Sequence, residues 1–182
     1  AFVADTSAND KDYQLYLWED EQLRNLVNNN TKSMPQNWEL SKNGKVLFSP
    51  SGDRLFIGIA PKQVPKDTTV LEEEIPVIDV WHWNEPTLHS QQLNTVERDL
   101  KKSYTAVFDL TENTLVPLES KDFTGFSLIK EGDADYALAW SHMPYAVQIM
   151  WEGYPVHNDF YLVNMETGKS QLIKEDVRAT PR

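Results

Sequence analysis

A serine hydrolase places its nucleophile on a sharp strand-to-helix turn, and the pattern that marks the turn is G-x-S-x-G, because side chains beside the serine would collide there. The nearest match is Gly125-Phe126-Ser127-Leu128-Ile129, where Ile129 stands in place of the second glycine. Ser127 therefore reads as an ordinary strand residue. The four histidines, His82, His89, His142 and His157, form no H-E-x-x-H and no short ligand spacing, so a zinc site is not expected. The chain has no cysteine, which removes disulfides, thiolate nucleophiles and cysteine-rich zinc sites. Neither G-x-x-x-x-G-K-[ST] nor G-x-G-x-x-G occurs, so phosphate cradles and dinucleotide folds have no support. No catalytic, cofactor-binding or metal-binding residue is assigned, and no cofactor is expected.

Two further groups of residues have a possible chemistry and a plainer reading. Glu72-Glu73-Glu74 is a run of three carboxylates that reads first as a solvated acidic loop. The six tryptophans, Trp18, Trp38, Trp81, Trp83, Trp140 and Trp151, could stack on a carbohydrate or peptide. All but Trp151 fall in expected strands, and core packing is the expectation for them.

The formal net charge of −11 repels phosphate backbones, so nucleic acid is not an expected partner. No apolar run is long enough for a membrane helix, and the first residues lack the basic and long apolar regions of a signal peptide. With 40% hydrophobic residues, six Trp, seven Tyr and seven Phe, the chain can bury a sizeable core.

The elements that must position these residues are strands, since apolar and polar residues alternate with a period close to two between turn residues. The stretch 38–60 reads as a three-strand meander: Asn43-Gly44 is a hairpin signal, and Pro50 and Gly52 mark the second reversal.

Three segments repeat one design of strand, polar turn and shorter strand: 14–26, 105–118 and 159–173. Each is preceded by a strand of small or apolar residues, at 2–4, 56–60 and 136–140. The fold expected is all-β, a partial β-propeller in one domain, with blade-like units at about 1–36, 37–120 and 121–176. The first unit lacks an opening strand. An insertion at about 61–102 lengthens the second unit, with a strand expected at 77–83, where His82 faces away from Trp81 and Trp83. A short helix is expected over 91–102, with Leu93, Val96 and Leu100 on one face. The third unit has a counterpart to the insertion at 147–153.

Phe48-Ser49-Pro50-Ser51-Gly52-Asp53-Arg54-Leu55 resembles the F-S-P-D-G-x-x-[LI] signature of blades in peptidase-type propellers, with Ser51 where Asp is usual. With Asp79-Val80-Trp81-His82-Trp83 and the stretch 104–118, the chain resembles the N-terminal propeller of the prolyl oligopeptidase and dipeptidyl peptidase IV family, in its divergent bacterial form. The resemblance implies a non-catalytic segment that gates or binds peptide substrate over an α/β-hydrolase domain of the same parent chain, in a periplasmic or secreted serine peptidase. The alternative is a peptide- or protein-binding module from a protein with no hydrolase domain. The resemblance also lends Glu72, Glu73 and Glu74 a second reading: a carboxylate pair that holds a substrate's free amino terminus by charge-assisted hydrogen bonds. The Asp-Trp and Tyr that precede that pair in the family are replaced here by Val70-Leu71. Three blades cannot close a ring, so open lateral faces and self-association through them are expected.

Overall fold

The structure is a computed structural model that describes residues 1–5, 12–63, 69, 82 and 85–179. Among these residues the chain is all-β, with three antiparallel sheets and a few short helices, a partial propeller-like fold. The first sheet holds β1 (Phe2–Asp5), β2 (Tyr13–Glu19) and β3 (Gln22–Val27) in chain order. The second holds β4 (Trp38–Leu40), β5 (Leu47–Phe48), β6 (Arg54–Pro61), β7 (Tyr104–Asp109) and β8 (Thr114–Pro117). The third holds β9 (Gly125–Leu128), β10 (Tyr136–Ser141), β11 (His157–Asn164) and β12 (Ser170–Arg178), again in chain order across the sheet.

The repeated strand–turn–strand design has a local chemical basis. At the β7–β8 turn Asp109 Oδ1 accepts from the N–H groups of Thr111 and Glu112, both at 2.8 Å. At the β11–β12 turn Asn164 Oδ1 accepts from Glu166 N at 3.0 Å and Thr167 N at 2.9 Å. A short polar side chain at the end of the first strand thus closes the turn in both units. The β5–β6 reversal behaves as its residues dictate: Gly52 takes φ +81° and its N–H reaches Ser49 O at 2.9 Å.

The stretch 38–60 departs from the expected meander. β4 pairs with Ile59 to Pro61 and β5 with Leu55 and Phe56, so both lie along the same edge of β6. They are two halves of one interrupted strand, and Asn43-Gly44 is not a hairpin turn. A type I′ turn needs positive φ at both central residues, which neither Asn43 nor Gly44 adopts. Gly44 serves close approach instead, for a Cβ there would fall inside contact distance of the Gly58 Cα. Ser41 N–H bonds Gly58 O at 2.9 Å beside it.

The sheets stack face to face. Leu15 and Val27 of the first sheet pack with Leu55, Ile57, Ile59, Ala106 and Phe108 of the second. Phe56 and Val107 point the other way, into a second core with Ala137, Ala139 and Val163 of the third sheet. The central sheet is therefore buried on both faces, and β6 reads as a nearly unbroken apolar run for that reason. Full burial of such side chains contributes about 1.5–3 kcal/mol each, against about 1 kcal/mol net for a typical hydrogen bond. Apolar stacking holds the sheets together, and polar contacts set how they align.

Arg54 makes that alignment. Its Nη1 donates to Gly132 O at 3.0 Å and Ala134 O at 2.8 Å, on the turn between β9 and β10. Asp133 on the same turn accepts from Ser51 N at 3.2 Å. That N–H bond first, then the Ser51 and Ser49 hydroxyls and Arg54, hold the Asp133 carboxyl below its ordinary range.

The expectation that strand tryptophans are core fails at Trp18, which is 61% exposed on β2. The strand alternates, so Leu15 and Leu17 face the core while Tyr16 and Trp18 share the outer face of the first sheet, where Phe2 stacks on Tyr16 at 5.7 Å. Trp38 and Trp140 are half-buried; Trp38 packs edge-on to Tyr104 at 5.1 Å, and the Trp140 ring covers Gly125. Trp81 and Trp83 lie outside the described residues, as do the rest of the strand expected at 77–83 except His82, and Glu72, Glu73 and Glu74. The expected helix is α1 (His89–Leu100), with Leu93, Val96 and Leu100 exposed. A second, one-turn helix, α2 (Ile149–Glu152), lies outside the insertion.

Candidate partner-binding end of the sheet stack

The topology separates the two ends of the stack. At one end, short turns join β2 to β3, β5 to β6, β7 to β8, β9 to β10 and β11 to β12. These ends coincide in space: the Arg54 and Ser51 contacts bring the second and third sheets together there, and Trp18, Glu19, Gly52, Asp53 and Thr111 line one cleft shared by the first two. The opposite end carries both long excursions inside the sheets, 62–103 between β6 and β7 and 142–156 between β10 and β11. They approach each other at Thr124. Its Oγ1 accepts from His142 N at 3.2 Å, and it lines a cleft of about 830 Å³ with Asn94, Glu97, Arg98 and Lys102 from α1 and its C-terminal end.

The 142–156 excursion is fastened by polar contacts at its base. A 3-10 turn at Met143–Tyr145 places the Tyr145 hydroxyl 2.6 Å from Asp159 Oδ1, to which it donates. Asp159 is nearly buried, and the same oxygen accepts from Asp176 N at 3.0 Å. A register shift between Asn158 and Phe160 in the β11–β12 ladder accompanies this contact; such bulges re-aim side chains. His157, the first residue of β11, lies between two carboxylates: Nδ1 contacts Asp176 Oδ1, and Nε2 is 3.1 Å from Glu152 Oε2 on α2. Arg178 closes the far side, its Nε donating to Pro155 O at 3.2 Å and its Nη2 to Glu152 O at 3.1 Å.

Electrostatics follow from these contacts. The hydrogen bond to Asp159, with burial and the charges of Asp159 and Asp176 behind it, pushes the Tyr145 phenol up to about 12. Burial pulls the His142 imidazole below its ordinary value. Tyr145 thus stays a neutral donor across ordinary pH, an arrangement suited to fixing a loop.

The fastened loop presents apolar side chains to water. Trp151 is 83% exposed and Tyr154 85%, with Met143, Val147 and Met150 also exposed. Scattered exposed apolar residues need no explanation, but several large ones within 142–156 make this loop a candidate interaction surface.

The residues weighed from sequence are not brought together. Ser127 is exposed in β9. His82 lies in the insertion, His89 opens α1, His142 follows β10 and His157 opens β11. Of the base cluster, only His157 is among the residues whose type and spacing single them out as site candidates in the sequence. Tyr145, Glu152, Asp159 and Asp176 come from four elements, with no spacing to announce them; the register shift that accompanies the Asp159–Asp176 contact has no motif. Comparison of the chain with protein-family models, with curated proteins and with solved structures finds no match.

Proposed function

We propose that this chain is a non-catalytic β-propeller segment of a prolyl oligopeptidase-like serine peptidase, gating or binding the peptide substrate. The observation that carries this reading is the division of the stack into a short-turn end and an end with both long excursions. Scaffolds that bind do so through long loops held on a rigid frame. The Phe48-to-Leu55 segment supports it, for it forms the β5–β6 reversal and contains Arg54, which ties one sheet to the next.

In this reading the partners are a peptide substrate and a hydrolase domain of the same parent chain, and the setting is periplasmic or secreted. Glu72, Glu73 and Glu74, on the 62–103 excursion, are candidates to hold a substrate's amino terminus. Self-association through the outer faces of the first and third sheets belongs to the same reading, since Phe2, Trp18 and Tyr136 are exposed there.

A second reading, a binding module from a protein with no hydrolase domain, draws on the exposed Trp151 and Tyr154, which suit protein recognition without any catalytic partner. Sequencing the native reading frame on both sides of this chain separates the two. Downstream G-x-S-x-G followed by Asp and then His, with peptidase activity lost on substituting that serine, is the expected outcome. A frame that continues only in further blades leaves the binding module.

A further inference from the structure

The 142–156 excursion spends its polar groups on its own base and its apolar groups on solvent. Tyr145 and Glu152 turn back to Asp159 and His157 on β11, and Arg178 on β12 holds two of the loop's carbonyl groups. Trp151 and Tyr154 turn outward. Folding alone has no use for this arrangement, because an exposed indole gains nothing from an ordered loop. A binding surface does: a rigid aromatic anchor loses little conformational entropy when a partner covers it.

Charge then selects the partner. Three carboxylates, Glu152, Asp159 and Asp176, stand at the loop's base against the single guanidinium of Arg178, with His157 between Glu152 and Asp176, and the loop itself carries no lysine or arginine. The whole chain carries −11. A second copy would bring the same charge to the contact, and an anionic membrane surface would repel it. A basic chain is attracted.

We propose that the 142–156 excursion is a docking site for a cationic peptide segment whose apolar side chains cover Trp151 and Tyr154. The site rests on the peptide-binding part of the function proposed above and needs no hydrolase domain, so it is measured on this chain whatever the flanking reading frame contains.

The test is fluorescence anisotropy with a dye-labelled peptide of alternating lysine and leucine, beside its glutamate–leucine counterpart, titrated with the full chain. Expected are saturable binding of the lysine peptide alone, weakening as salt is raised, and a loss of about tenfold or more in Trp151→Ala, the scale of a binding hot spot. Trp151 is almost wholly exposed, so its removal leaves the fold intact; Tyr154→Ala, equally exposed, provides an independent variant with the same expected direction. Equal binding of the glutamate peptide, no binding of either, or binding unchanged in both variants overturns the proposal. So does a concentration-dependent dimer in sedimentation that Trp151→Ala abolishes, which would give the surface to a second copy.

Discussion

Tyr145 donates a 2.6 Å hydrogen bond to Asp159 Oδ1 across the base of the 142–156 excursion. The phenol is pushed up to about 12 in consequence. The unfolded chain loses this proton near pH 10, so the bond's contribution to stability is complete below that pH and declines as pH rises toward the folded value. Phenolate absorbance during an alkaline titration should show a late-titrating tyrosine that Tyr145→Phe removes. Titration of all the tyrosines together near pH 10 would contradict this.

Asp133 runs in the opposite direction. Its carboxyl is held below the ordinary range, chiefly by the Ser51 N–H. The contribution is therefore present above about pH 3.9, the unfolded value, and is lost as pH falls through the lower folded value. Urea midpoints measured down the acid range should fall less steeply in Asp133→Asn than in the parent chain.

Arg54 bridges two sheets through the carbonyl groups of Gly132 and Ala134. Arg54→Met keeps the aliphatic stem and leaves both carbonyls without this donor, a loss of about 2 kcal/mol. Arg54→Lys should recover only part of it, because both bonds come from Nη1 and the lysine side chain, one bond shorter, falls short of that position. Chemical denaturation of the two variants provides the comparison, and equal stability of lysine and arginine would reject the geometric argument.

Gly44 and Gly58 meet backbone to backbone. Alanine at either position forces β4 and β5 away from β6, and overpacking of this kind costs about 1–3 kcal/mol. Were Asn43-Gly44 a free hairpin turn, Gly44→Ala would act only through turn strain and Gly58→Ala would be nearly silent. The melting temperatures of the two variants decide between these.

The two faces of β2 should respond differently to truncation. Leu15 is fully buried, so Leu15→Ala is expected to cost about 2–5 kcal/mol. Trp18→Ser should change monomer stability by far less than Leu15→Ala, about 0.5 kcal/mol, since most of the Trp18 ring is already in water. A large loss at Trp18 at high protein concentration, absent on dilution, would mark the outer face of the first sheet as a self-association surface.

Much of the architecture was legible because its causes are local. Alternation with a period of two, the polar residues that close turns at Asp109 and Asn164, and Gly52 at positive φ all act within a few residues of chain. The units built on β2–β3, β7–β8 and β11–β12, the strand before each, and α1 in the insertion follow from them.

What only the tertiary structure decided involves residues far apart in the chain. Asn43-Gly44 carries a turn signal, yet Gly58 across the sheet needs the glycine for contact, and contact outweighs the local preference. Trp18 has a strand's alternation, but alternation alone does not say whether a neighbouring sheet covers the outer face. The cluster of Tyr145, Glu152, His157, Asp159 and Asp176 depends on an irregular ladder and two short helical turns meeting at one end of a sheet. Periodicity records which face of an element is apolar; what meets that face, and which distant charges meet each other, is set by packing.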